Sequence, residues 1–146
     1  MQQLSQRDPI WANVHIGESN LTIGRFGCTI VSISMVTDRF NKWITPDSIA
    51  TKQKFTKDGL ILWTKLNLPT VSFIKRGYGR NDVEIVEAIQ NPDKAVILEV
   101  ENFHWVLCIG KSLLGGYNII DPWFGKPSTT RSYKDQVTGY AIFKRQ

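Results

Sequence analysis

Residues 95–121 read AVILEVENFHWVLCIGKSLLGGYNIID, and this stretch decides the fold. It holds three short apolar runs: Ala95–Val100, His104–Ile109 and Tyr117–Asp121. Each is rich in β-branched, aromatic or other large apolar residues and has the length of a strand. The second and third are joined by a loop holding Gly115-Gly116, a turn signal between two strands. Toward the C-terminus, Tyr140–Lys144 (YAIFK) predicts a further strand. Toward the N-terminus, Asn81-Asp82 caps a helix through Ile85, Val86 and Ile89, stopped at Asn91-Pro92. Before it, Thr70–Lys75 (TVSFIK) alternates like a strand.

The remaining signals are helical. Leu60, Ile61, Trp63, Leu66 and Leu68 predict a helix ended by Pro69. Thr45-Pro46-Asp47 opens another, since proline is welcome at the first helical position. From Cys28 to Phe40, Ile33, Val36 and Phe40 share one helical face. The many β-branched residues there weaken helix propensity, yet the periodicity favours a buried helix with Gly27 at its start. Residues 1–27 read as an irregular arm punctuated by Asp8-Pro9, Gly17, Asn20, Gly24 and Gly27. The expectation is one α+β domain: an arm over 1–27, a mainly helical part over 28–92 and an antiparallel sheet over 93–146.

The chain has 146 residues, of which 42% are hydrophobic, enough for a core without disulfide or metal. The two cysteines and two histidines show no zinc-ligand spacing, so no metal and no cofactor is expected. No apolar run is long enough for a transmembrane span. The polar opening Met1–Asp8 lacks the apolar core of a signal peptide, so the expectation is cytoplasmic residence, release by another route, or a start that follows a removed segment. The net charge of +5 hints at an anionic partner, but the basic residues are scattered. No basic and aromatic stripe supports nucleic-acid binding, and none is expected.

Three residues, Cys28, His104 and Asp121, form a pattern with chemical meaning. Cys28 follows Gly27 at the start of the predicted helix, where free N–H donors favour a thiolate. The glycine leaves room for a substrate backbone. The competing reading is a small apolar residue filling the core, as most free cysteines do. His104 opens one strand and Asp121 ends the next, before Pro122. If they meet at the open end of the hairpin, the carboxylate orients the imidazole and stabilises its charged form. Taken singly, each has a plain alternative, a sheet-edge histidine and a turn-forming aspartate. Cys108 lies on the His104 strand in an apolar run and reads as an inert core thiol, unbonded to Cys28. A glutamine of the arm, such as Gln6, has a side-chain amide that can stabilise an oxyanion, but by residue type alone Gln2, Gln3 and Gln6 are indistinguishable surface amides.

The arm Gln6-Arg7-Asp8-Pro9-Ile10-Trp11, the run Thr22-Ile23-Gly24-Arg25-Phe26-Gly27-Cys28-Thr29, and His104-Trp105-Val106 with Ile119-Ile120-Asp121-Pro122 carry a resemblance. Together they resemble the broader branch of the bacteriocin-processing (double-glycine) peptidase family, in the papain-like cysteine peptidase clan. The likeness runs from about Gln6 to Trp123. It implies a papain-like fold, with Cys28 as nucleophile, His104 as general base and acid, Asp121 as orienter and Gln6 as oxyanion donor. Trp105 and Trp123 flank the expected pair as candidate substrate-binding walls, or as ordinary core. The function expected is hydrolysis of a peptide or amide bond. Two alternatives stand beside it: an amidase or endopeptidase cutting peptidoglycan, which a basic domain suits, and a weakly active papain-like fold serving as a binding or inhibitory module.

Overall fold

In the computed structural model, residues 2–146 are described and fold into four helices and one six-stranded antiparallel sheet, an α+β architecture. The helices are α1 (Ile23–Phe26), α2 (Cys28–Arg39), α3 (Pro46–Lys52) and α4 (Asp82–Gln90). The strands are β1 (Val71–Tyr78), β2 (Lys94–Val100), β3 (His104–Lys111), β4 (Tyr117–Asp121), β5 (Lys126–Thr129) and β6 (Val137–Arg145). Across the sheet the order is β1-β6-β2-β3-β4-β5. No helix among the described residues is long and apolar enough to cross a membrane.

The central strands read as continuous apolar runs because both of their faces are covered. Ala95, Ile97, Trp105, Leu107, Ala141 and Phe143 face a core shared with α2. Val96, Leu98, Val106, Cys108 and Ile142 face a second core shared with α4. The two cysteines therefore lie in different cores, and both are free.

Helix α2 is buried along most of its length, which is why its apolar residues spread beyond one stripe. Three of its polar side chains, Ser32, Ser34 and Thr37, are buried and hydrogen-bonded. Ser34 Oγ donates to Ile44 O at 2.6 Å, and Thr37 Oγ1 accepts from Ile44 N at 2.9 Å. These bonds tie the end of α2 to the lead into α3, where Thr45 caps the helix by accepting from Ser48 N. Asn81 caps α4 in the same way through Glu84 N.

Three expectations need correction. Leu60–Leu68 is not a helix; it holds only a 3-10 turn over Trp63–Lys65. Gly59 enters it at φ +81, Phe55 and Ile61 form an isolated bridge, and the Gln53 side chain clamps the Asn67 backbone through N–H and C=O. Those tertiary bonds replace an intrahelical ladder. The sheet also begins earlier than 93, because β1 pairs along β6 and belongs to it. Finally, β5 is an additional strand, a polar edge pairing only with β4. The described part of the arm, residues 2–27, carries the four-residue helix α1 and buries Leu4, Trp11, Ile16 and Ile23 in the α2 core.

Gly27 separates α1 from α2, and its φ of −88 is one that any residue adopts. The need for glycine is steric instead. A Cβ there would lie 2.6 Å from Ile23 O and 2.7 Å from Ile23 Cα. Gly27→Ala is expected to destabilise the fold by about 1–3 kcal/mol through overpacking against backbone. An unchanged urea midpoint for that variant would sink this account.

Candidate functional site

Cys28 is the first residue of α2, and two bonds from this helix fix the start of β3 beside it. Trp105 N donates to Cys28 Sγ at 3.4 Å, and Ser32 Oγ donates to Trp105 O at 3.4 Å. Cys28 and Ser32 are four apart, so they stand one above the other on a single helix face. The Trp105 peptide is thus held at both ends by one turn of α2. Its neighbour His104 is brought to the helix terminus as a result.

His104 Nε2 donates to Asp121 Oδ1 at 2.7 Å, and both side chains are buried. The pairing follows from register. Leu107 lies opposite Ile120, so continuing the ladder puts Asp121 opposite Val106 and diagonal to His104. Such diagonal neighbours lie roughly 7–8 Å apart at the backbone, within reach of an imidazole and a carboxylate. Asp121 is held by two further donors. Trp123 N donates to Oδ1 at 2.9 Å and the Tyr133 hydroxyl donates to Oδ2. Burial pushes the Asp121 carboxyl up, but the bonds from His104 and Tyr133 outweigh it and hold its pKa below the ordinary value.

The His104 imidazole is raised from 6.5 to about 9. Burial acts against its charged form, and the hydrogen bonds and charges of Asp121 and Cys28 overcome it. With Nε2 on Asp121, Nδ1 is the ring nitrogen left to serve Cys28. Burial and the Asp121 carboxylate together hold the Tyr133 phenol above its ordinary range. Cys108 is the opposite case: burial pushes its thiol up to about 12. It sits in the apolar α4 core with no partner comparable to His104.

Gln6 reaches the same place from the other end of the chain. Its backbone N–H donates to Pro122 O at 2.7 Å, and its Nε2 donates to Gly24 O at 3.3 Å. Its Oε1 is buried without a partner. An orphaned acceptor of this kind costs about 1–3 kcal/mol, so the two bonds on either side hold the amide where it is. Gln6, Cys28, His104, Asp121 and Trp123 all line one hollow of ≈ 660 Å³. Trp105 lies apart from it. The residue is 7% exposed and its ring centroid lies 5.2 Å from that of Trp63, in the wall of a second hollow that also reaches Cys28.

The sequence matches no family model and no curated protein. The four residues singled out from the sequence as catalytic candidates come together around one hollow. Two contributors were not among them. The Trp105 N–H reaches Cys28, and Tyr133 closes the second oxygen of Asp121. The Trp105 amide had no sequence signal as a donor. Tyr133 stands in a short 3-10 turn, Thr130–Tyr133, with no periodicity to mark it.

Proposed function

We propose that this chain is a cysteine hydrolase of the papain-like kind that cleaves a peptide or amide bond. The observation that carries the reading is the convergence of a helix-terminal Cys28 on a buried His104–Asp121 pair. A cysteine opening a helix and a histidine opening a strand are what the sequence resemblance implies, and the Trp105 N–H bond to Cys28 Sγ packs the two together.

The steps follow from the geometry. Cys28 passes its proton to His104, and the imidazolium is stabilised by Asp121. The thiolate attacks the carbonyl carbon, forming a C–S bond and an oxyanion. The Gln6 Nε2 hydrogen not given to Gly24 O serves that oxyanion, with the Cys28 backbone N–H as second donor. Collapse breaks the C–N bond, and His104 gives its proton to the departing amine. Water, deprotonated by His104, then attacks the thioester and releases the acid. Tyr133 acts through Asp121 and is a positioning residue.

Alkylation tests the reading directly. At about pH 6.5, a His104-paired thiolate reacts with iodoacetamide while an unassisted thiol is slow. Label mapped by mass spectrometry is expected on Cys28 and not on Cys108, and His104→Ala is expected to remove that selectivity. Equal, slow labelling of both cysteines would leave the fold as a binding module and overturn the reading.

A further inference from the structure

Two hollows meet at Cys28, and Phe26 and Phe103 line both of them. One, of ≈ 530 Å³, runs past Trp105 to Arg76 and Glu99. The other, of ≈ 660 Å³, contains His104, Asp121, Trp123 and Phe124. This asymmetry sets the direction of a bound substrate. The leaving amine takes its proton from His104, so it must occupy the hollow that His104 lines. The acyl part then lies toward Arg76. Resting on the cysteine-hydrolase reading above, we infer that the His104 side is a leaving-group subsite selecting an aromatic or large apolar amine component.

Its walls are aromatic and unusually open. Phe103 is 70% exposed, Phe124 56% and Phe26 50%, so apolar surface stands uncovered around one nucleophile. An apolar leaving group would remove it from water. The far wall is also built in advance. The Trp123 N–H is fixed on Asp121, and its carbonyl accepts from Arg7 Nε at 2.9 Å and from Ser5 Oγ at 3.2 Å. The Arg7 guanidinium lies over the Trp123 ring at 4.7 Å and over the Phe124 ring at 5.6 Å. A wall held this way loses little freedom on binding.

Charge sharpens the selection. Arg25 lines the same hollow. Among the described residues the one carboxylate there is Asp121, already engaged by His104, Trp123 and Tyr133. A cationic leaving group meets Arg25 and no free acid, and is disfavoured.

Amine transfer isolates this subsite. p-Nitrophenyl acetate is used to acetylate Cys28, expelling p-nitrophenolate and leaving an acyl group too small to engage the Arg76 side. An added amine then attacks the thioester carbonyl: the C–N bond forms, the C–S bond breaks, the amine proton passes to His104 and Cys28 departs as thiolate. Phenylalaninamide, glycinamide and lysinamide are compared at equal concentrations of free base by the yield of N-acetyl product. Phenylalaninamide is expected to saturate and to exceed glycinamide by about tenfold or more, the discrimination an apolar pocket supplies. Lysinamide is expected to fall below phenylalaninamide by a similar factor. In Trp123→Ala, confirmed as folded by circular dichroism, the preference for phenylalaninamide is expected to collapse. Acetyl-Cys28 that forms but transfers equally to all three amines overturns this inference and leaves the hydrolase reading standing. No acetylation beyond that of Cys28→Ala overturns both.

Discussion

His104→Ala is expected to slow cleavage of an unactivated amide by about 10²–10⁴-fold, the usual worth of a positioned general acid and base. The informative readout is the pH profile of the wild type. His104 is raised to about 9, so the imidazolium persists through neutral pH and disappears as pH rises through about 9. Amide cleavage needs that proton for the departing amine, and its rate should fall on the alkaline side with a midpoint near 9. Acetylation by p-nitrophenyl acetate needs no proton, because nitrophenolate leaves unaided. Its initial burst should therefore show no fall through the same range. Cleavage of a peptide library, followed by mass spectrometry, supplies the first curve, and nitrophenolate absorbance supplies the second. Amide cleavage undiminished well above pH 9, or retained in His104→Ala, would exclude His104 as the acid.

What could be read from the sequence divides by the range of the interactions. The start of α2 was legible because a glycine precedes a helical apolar period, and both signals are local. The ends of β3 and β4 were legible because His104 and Asp121 are polar residues bounding apolar runs, with Pro122 stopping the second. From those positions the meeting of imidazole and carboxylate is a conditional expectation, and the β3–β4 register, with its irregularity between Cys108 and Gly110, supplies it. The failures are tertiary. Leu60–Leu68 has helical spacing, but Gln53 and the Phe55–Ile61 bridge capture its backbone first. Tyr133 is placed by a network with no local period. Thr130 Oγ1 accepts from Tyr117 N at 2.9 Å and donates to Asp135 Oδ1 at 2.7 Å, which fixes the turn that carries the phenol. The polar strand β5 takes its identity from pairing with β4 and not from its own residues.

Asp121 is where stability and function meet, and Asp121→Ala is expected to destabilise the protein by about 3–5 kcal/mol, the cost of removing one partner from a buried ion pair. The substitution strands three donors at once: His104 Nε2, Trp123 N and the Tyr133 hydroxyl. Asp121→Asn keeps an acceptor for His104 and Trp123, removes the charge and turns only the oxygen facing the Tyr133 hydroxyl into a donor, so it should cost less. The two variants are separated by their pH dependence. Asp121 is held below its ordinary pKa in the fold, so its contribution is present above about pH 4 and lost as pH falls further. His104 is raised from 6.5 to about 9, so its contribution is complete below about pH 6.5 and is lost as pH rises through about 9. The pair therefore stabilises the fold most between about pH 4 and pH 6.5. Wild-type urea unfolding should show stability declining from pH 6.5 to 9, and Asp121→Asn should flatten that decline. A wild-type stability that instead rises between pH 6.5 and 9 would show that the imidazole is neutral in the fold. The ion pair at the centre of the proposed mechanism would then be absent.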